Sequence, residues 1–132
     1  MTGVQTCALP IFGGVLSAVT NTVAYTDSSA VTIGTIPANA QIVDINIDVT
    51  TAFNAGTTNT VTVGKSGSAA AFVASTSVGS AGRASIATTG VYSAWADVGS
   101  AEVPVTATYG QTGTAASAGA MRVTVVYRSP AP

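Results

Sequence analysis

The stretch from Ile42 to Thr50, IVDINIDVT, is the clearest fold signal in the chain. Apolar residues alternate with Asp, Asn and Thr through the whole stretch. A period of two is that of a β-strand with one buried face, whereas a helix would spread the same apolar residues around its surface. The stretch therefore predicts a strand with one face in the core. The apolar side chains of that predicted face are Val43, Ile45, Ile47 and Val49.

The same alternation extends in both directions from this strand. Its next clearest example runs from Met121 to Arg128, where Met, Val, Val and Tyr alternate with polar residues and one valine. Clusters of Pro, Gly, Asn and Asp separate the alternating segments and predict turns. The predicted strands are residues 15–25, 30–36, 42–50, 60–63, 102–109 and 121–128, with one or two more short strands inside 82–97.

Three local predictions follow from propensity and turn residues. The alanine-containing segment from Ser68 to Val78 predicts a short helix or an irregular loop. The strands at 42–50 and 60–63 are expected to pair as a hairpin with a long connection. Pro104, which lacks a backbone N–H, indicates an edge position or a bulge in its strand.

These segments together predict an all-β fold, because about seven or eight strands are separated by turn signals and no repeat of fixed period occurs. We expect an antiparallel β-sandwich with a jelly-roll-like topology, and a small β-barrel is the alternative. The 132 residues are enough for one domain with its own hydrophobic core. We assign this single domain to residues 12–132.

The composition is unusually poor in charge. Charged residues make up 7% of the chain and hydrophobic residues 47%, with a net charge of -1. Ordinary soluble domains carry about 25% charged residues. A net charge near zero gives no attraction for nucleic acid and favours association. No apolar run approaches the roughly 18 residues that span a membrane. We therefore expect a protein that packs into an assembly and binds neither nucleic acid nor membrane.

The first eleven residues, MTGVQTCALPI, differ in character from the rest. They contain no Lys or Arg, and glycine and proline interrupt the apolar run, which argues against a secretory signal peptide. They resemble the translation of a common short-read sequencing adapter read from a GTG start codon. Residues 1–11 are therefore expected to be an artefactual, adapter-derived segment outside the fold, which would begin near Phe12.

The residues needed for most catalytic chemistry are missing from this sequence. It contains no histidine, and its single cysteine, Cys7, lies in the adapter-like segment. Nucleophile–histidine and histidine–metal chemistry are thus excluded. Asp44 and Asp48 lie about 13 Å apart on one strand, at about 3.3 Å per residue, which fits neither glycosidase spacing. The Gly-Lys-Ser run at 64–66 lacks the upstream glycine of a P-loop. We expect no enzymatic activity, no cofactor and no metal site.

Aromatic and arginine residues remain as candidates for contact with a partner or ligand. The aromatic residues that could stack on a sugar are Trp95, Tyr92, Tyr109 and Tyr127, although each lies in an apolar alternation that also suits core or interface packing. Arg122 and Arg128 lie on the polar face of the last strand. They could pair with charges on a partner or stay solvated.

Three segments carry a resemblance to a known group of proteins. They are IPANAQIVDINIDVTTAFN at 36–54, PVTATY at 104–109 and AGAMRVTVVY at 118–127. Together they resemble a group of small structural proteins of tailed bacteriophages, encoded among head and tail genes. The resemblance covers roughly residues 30–128, and its motifs are those of β-sandwiches.

The resemblance implies a virion structural protein, with capsid decoration or cement as the leading role, acting by subunit packing through shape and strand edges. It carries over no catalytic residue. The implied partners are other copies of the chain, as a trimer, and a major capsid or tail protein. The implied location is the capsid or tail surface of a virion assembled in the host cytoplasm.

Two other hypotheses stay open at this point. One is a carbohydrate-binding jelly-roll module of a receptor-binding fibre, which should expose Trp95 or a tyrosine in a groove beside Asp or Asn. The other is a bacterial surface or filament subunit.

Overall fold

The computed structural model describes residues 16–129, which form eight strands and one helical turn. The strands are β1 (Leu16–Ala24), β2 (Val31–Ile36), β3 (Gln41–Thr51), β4 (Thr58–Lys65), β5 (Ser68–Ser77), β6 (Gly82–Arg83), β7 (Val103–Thr112) and β8 (Ala120–Arg128), and the turn is α1 (Tyr92–Trp95). The predicted adapter-derived segment, residues 1–11, lies outside the described residues.

The strands form two antiparallel sheets of four. Sheet A has the order β1-β8-β3-β6 and sheet B the order β2-β7-β4-β5. The pairing is nested, since β1 pairs with β8, β2 with β7, β3 with β6 and β4 with β5. The prediction of an all-β antiparallel sandwich is confirmed, because the strands divide into two separate four-stranded sheets.

The core lies between the two sheets and consists of β-branched, aromatic and Met side chains. Burying one such side chain contributes about 1.5–3 kcal/mol relative to leaving it in water. Alternation along each strand therefore specifies which face turns inward. The largest fully buried side chains are Phe53, Phe72, Ile36, Ile45, Ile47 and Met121.

Strand β3 confirms the alternation of its sequence, with one correction at its start. Ile45, Ile47 and Val49 are buried as predicted. Val43 was expected to face the core but is 43% exposed, and Ile42 is buried instead. The cause is an irregularity in the pairing with β8 between Ile42 and the residue after Val43. Such a bulge adds one residue to β3 without a partner on β8, so the side chains before it point to the opposite face from the one that the alternation predicts.

The prediction of a helix or loop at 68–78 is wrong, because β5 occupies this segment. Its Phe72 and Val73 are buried in the core, and pairing with β4 supplies its backbone hydrogen bonds. Tertiary packing thus overrides the weak propensity of its Ala and Ser residues.

The predicted hairpin between β3 and β4 is also wrong. The two strands belong to different sheets, and β4 instead forms a hairpin with β5. The connection after β3 crosses from sheet A to sheet B and buries Phe53 on the way. A long connection with an aromatic residue in its middle can therefore bridge two layers rather than close one hairpin.

The segment between β5 and β7 contains the short strand β6 and the unpredicted helical turn α1. Before α1, the chain runs along the outer edge of β5. The Ala74 N–H donates to the Thr89 carbonyl at 2.8 Å, and the Val91 N–H donates to the Phe72 carbonyl at 2.9 Å. These bonds cover part of an edge that would otherwise offer free backbone groups.

Pro104 lies near the start of β7, which is an interior strand of sheet B. In this part of β7 only β2 is paired, opposite Thr35, because the β4 ladder ends at Thr106. The prediction of an edge position thus holds locally, since Pro104 has a neighbouring strand on one side only.

Candidate interaction surfaces

The outward side of sheet A, which we call face A, holds most of the basic residues of the chain. Its middle is neutral, with Thr20, Thr124 and Asn46 side by side across β1, β8 and β3. The Thr20 and Thr124 hydroxyls are 3.0 Å apart and hydrogen-bond each other. Charges surround this neutral strip. The charged residues of face A are Arg83, Arg122, Arg128, Asp44 and Asp48.

Both predicted arginine contacts, Arg122 and Arg128, are exposed on face A. Arg122 lies opposite Asp48 across the β3–β8 ladder, and the Arg128 guanidinium donates to the Gln41 side chain at 3.5 Å. The neighbouring Arg83 donates to Asp44 at 3.1 Å. Exposed ion pairs of this kind contribute about 0–1 kcal/mol to stability, so these charges are available to a partner at little cost to the fold.

The most exposed large apolar side chains among the described residues also lie on or beside face A. Leu16 is 56% exposed at the start of β1, and Val43 is 43% exposed at the bulge of β3. Tyr92 is 52% exposed beyond the β6 edge. These exposed apolar groups lie on one side of the molecule, which makes that side a candidate contact surface.

The outward side of sheet B, face B, is a threonine array. Thr62 lies opposite Thr108, and the hydroxyls of Thr58 and Thr112 hydrogen-bond at 2.7 Å. Strands β4 and β7 turn no charged side chain toward this face within the paired residues 58–64 and 106–112. The two faces therefore differ in chemistry, since face A combines charge with apolar groups and face B is neutral and polar.

Two of the predicted contact residues, Trp95 and Tyr109, are buried and contribute to the core. The Trp95 indole N–H donates to the Phe72 carbonyl at 2.9 Å, and the Tyr109 hydroxyl donates to Asn59 Oδ1 at 2.7 Å. Burial raises the pKa of Tyr109. Each buried polar end thus has a partner, as core aromatic residues require, and neither ring is open to a ligand.

Tyr92, by contrast, lines an open groove beside β6. The groove has a volume of about 410 Å³ and is lined by Asp44, Arg83, residues 84–87 and Tyr92. The Asp44 carboxylate receives the Arg83 guanidinium through Oδ2 and the Ile45 N–H through Oδ1, at 3.1 and 2.9 Å. An exposed aromatic ring, a carboxylate and a guanidinium thus line one concave surface.

A second groove, of about 360 Å³, lies at the end of the sandwich next to the Gly-Lys-Ser run. Lys65, Glu102 and Pro104 are among its lining residues. The run itself forms the end of β4 and the turn into β5. A strand rather than a helix follows the lysine, so the geometry of a phosphate-binding loop is not formed here.

Neither a metal-binding cluster nor a membrane-spanning helix occurs in the described part of the chain. Between residues 16 and 129, no group of three or more His, Cys, Asp or Glu side chains is placed to hold a metal ion. Over the same residues, no helix has the length and apolar character of a membrane span.

Sequence reasoning missed three residues that shape these surfaces. Arg83 was not singled out, because its partner Asp44 is brought close only by the β3–β6 pairing. Asn59 gave no signal, although its side chain binds both the Tyr109 hydroxyl and the backbone of Ala55. Gly90 was also missed, and its closeness to Tyr92 could not be read from alternation.

Comparison with known proteins gives one relevant structural neighbour. No protein-family model matches the sequence, and neither does any curated protein. Among solved structures, the chain is similar to a chain of the cyanophage Pam1 capsid asymmetric unit, with 25% sequence identity and a TM-score of 0.68. The match covers 90% of this chain and 88% of that one. This similarity is consistent with the predicted phage structural protein and supports a structural role in a virion.

Proposed function

We propose that this chain is a non-catalytic decoration or cement protein of a tailed-phage capsid, assembled onto the shell in the host cytoplasm. The observation that carries the proposal is the similarity over 90% of the chain to a component of a phage capsid asymmetric unit. The low charge of 7% supports it, because a neutral surface favours packing into a regular array.

Face A is the proposed contact surface with the shell. It presents exposed apolar groups, Leu16 and Val43, near Arg128, and it carries Arg122 farther along β8. Arginine and apolar residues are the types enriched in the buried centres of protein interfaces. Face B, with its threonines, then points to solvent or to neighbouring copies, which we propose are arranged as trimers.

The test adds the purified protein to shells assembled from the major capsid protein of the same phage. We expect saturable co-sedimentation and, by cryo-electron microscopy, extra density at symmetry-related positions of the shell. Failure to bind the cognate shells at any protein concentration would contradict the decoration role.

Two matched substitutions locate the contact surface. Thr20→Glu places a carboxylate on face A, and Thr35→Glu places one at an exposed position of the edge strand β2 in sheet B. Burying an unpaired charge in an interface is costly, so Thr20→Glu should weaken shell binding by about tenfold or more, and Thr35→Glu should not. The reverse result would move the contact surface away from face A.

A further inference from the structure

The groove beside β6 has an aromatic wall that is held in place before any ligand arrives. Tyr92 remains 52% exposed, yet its ring meets Trp95 edge-on with centroids 4.6 Å apart. Its hydroxyl donates to the Ile86 carbonyl at 3.2 Å. An exposed ring fixed by two contacts loses little conformational entropy when a ligand packs against it.

Gly90 provides the space for this ring position. A Cβ atom at residue 90 would lie 2.7 Å from Tyr92 Cζ and 3.0 Å from its hydroxyl oxygen. Any larger residue would therefore displace the ring. The backbone at 90 is also tied to β5 through a bridge to Val73, so the support under the ring is part of the sandwich.

The polar wall of the groove has hydrogen-bonding capacity to spare. The Asp44 carboxylate has about four acceptor positions, and the Arg83 and Ile45 bonds occupy one on each oxygen. Arg83 has about five N–H donors, of which one is directed to Asp44. Asp44 can thus accept hydrogen bonds from the hydroxyl groups of a ligand, while Arg83 donates hydrogen bonds to hydroxyl oxygens of the same ligand.

The charge around the groove is balanced. Arg83 and Arg122 lie near Asp44 and Asp48, since Asp48 is opposite both arginines in its two ladders. Two positive and two negative groups give an anionic or cationic ligand no net attraction. The chemistry therefore favours a neutral ligand that has many hydroxyl groups and one apolar face.

We propose that this groove binds a neutral pyranose sugar. One C–H face of the ring packs on Tyr92, while Asp44 and Arg83 exchange hydrogen bonds with its hydroxyls. The volume of about 410 Å³ lies within the range of roughly 300–1,000 Å³ for small-ligand sites, which is room for one sugar ring and its substituents. Asp44 and Arg83 also belong to face A, so a shell bound through that face would compete with the sugar, and the binding is therefore tested on the free chain.

The test uses NMR titration of the full chain with methyl glycosides of glucose, galactose and mannose. An open site for so small a ligand should give a dissociation constant on the order of 1 mM for at least one of them. Saturation transfer should mark the C–H protons of one ring face, and amide shifts should be confined to residues near 44 and 83–92. Glucuronate and sialic acid should bind no better than the neutral glycosides.

Substitutions assign the binding to the groove. Tyr92→Ala should weaken it about tenfold and Asp44→Asn roughly fivefold, whereas Tyr92→Phe should stay within about threefold. Glu102→Gln, which removes a carboxylate beside the other groove, is the matched control and should change nothing. If the amide dispersion shows that Tyr92→Ala disturbs the fold, the binding constants of Asp44→Asn and Glu102→Gln are compared instead. Weaker binding by Asp44→Asn alone supports the groove as the binding site, and equal binding by the two variants contradicts it.

A further arm compares the methyl glycosides with dextran and galactan. Tighter binding of a polymer would identify an internal residue of a polysaccharide as the ligand, and equal binding a terminal sugar. The proposal is overturned if no neutral glycoside binds at concentrations far above 1 mM, if folded Tyr92→Ala binds like the parent chain, or if the amide shifts lie elsewhere.

Discussion

Asn59 is expected to be the polar residue whose loss costs the fold most, although it lies on an otherwise unremarkable part of β4. Its Oδ1 accepts from the Ala55 N–H at 2.8 Å and from the Tyr109 hydroxyl at 2.7 Å, and its Nδ2 donates to the Ala55 carbonyl at 3.2 Å. Ala55 lies in the connection that crosses from sheet A to sheet B. The Asn59 side chain therefore links this connection to its own strand, β4, and to Tyr109 on the neighbouring strand β7.

Asn59→Ala removes three hydrogen bonds at a partly buried position. At about 1 kcal/mol for each bond, the free energy of unfolding should fall by about 3 kcal/mol. For a domain of this size, that corresponds to a drop in Tm of roughly 10 °C. Asn46→Ala on face A is the control and should stay within about 0.5 kcal/mol.

The assay is urea unfolding followed by the fluorescence of Trp95, the single tryptophan of the chain. A double-mutant cycle with Tyr109→Phe isolates the 2.7 Å bond between the two side chains. We expect a coupling energy of about 1 kcal/mol. If Asn59→Ala lowers the free energy of unfolding by less than about 1 kcal/mol, or if the coupling energy is indistinguishable from zero, the Asn59 side chain does not stabilise the connection between the sheets as argued.

Three further predictions test other parts of the structure. Because burial raises the pKa of Tyr109, the unfolded chain loses this proton first above about pH 10. The free energy of unfolding should therefore fall as the pH rises from about 10 to the pKa of Tyr109 in the folded protein. Urea unfolding at several pH values measures this fall, and Tyr109→Phe should reduce it. Gly119→Ala should cost more than about 2 kcal/mol, since φ is +147° and a Cβ would overlap a core ring. Gly79→Ala is the control, because its Cβ would meet other atoms only at ordinary contact distances of 3.9 and 4.0 Å, and it should change stability by at most about 1 kcal/mol. Arg83→Ala should cost less than about 1 kcal/mol, because its bond to Asp44 is exposed, and the cost should shrink further in high salt.

The strands predicted best from sequence are those with one buried and one solvated face. In β3 and β8 the apolar side chains recur every second residue because the outward side stays polar, so the pattern itself indicates the facing. The pattern contains no information about a bulge, which is why Val43 was assigned to the core. Its exposure depends on how β3 pairs with β8, a relation between segments about 80 residues apart.

Strand β5 was missed for a different reason. Its sequence, SAAAFVASTS, has no period, and its strand state depends on pairing with β4 and on the cover provided by residues 89–91. The groove beside β6 could be predicted only in part. Tyr92 was a candidate, but Asp44 and Arg83 become neighbours only through a two-residue ladder. Alternation determines faces and leaves partners open.

The edges of the sandwich bear on how copies could associate. Strand β6 is two residues long, and residues 89–91 hydrogen-bond to the outer edge of β5. At the opposite side, the Asn21 side chain of β1 donates to the Thr32 carbonyl of β2 at 3.0 Å, which links the two remaining edge strands. Short or covered edges offer few free backbone groups to another chain. The strand edges expected from the sequence to take part in association are therefore narrowed to β1 and β2, because β6 is short and the outer edge of β5 is partly covered by residues 89–91.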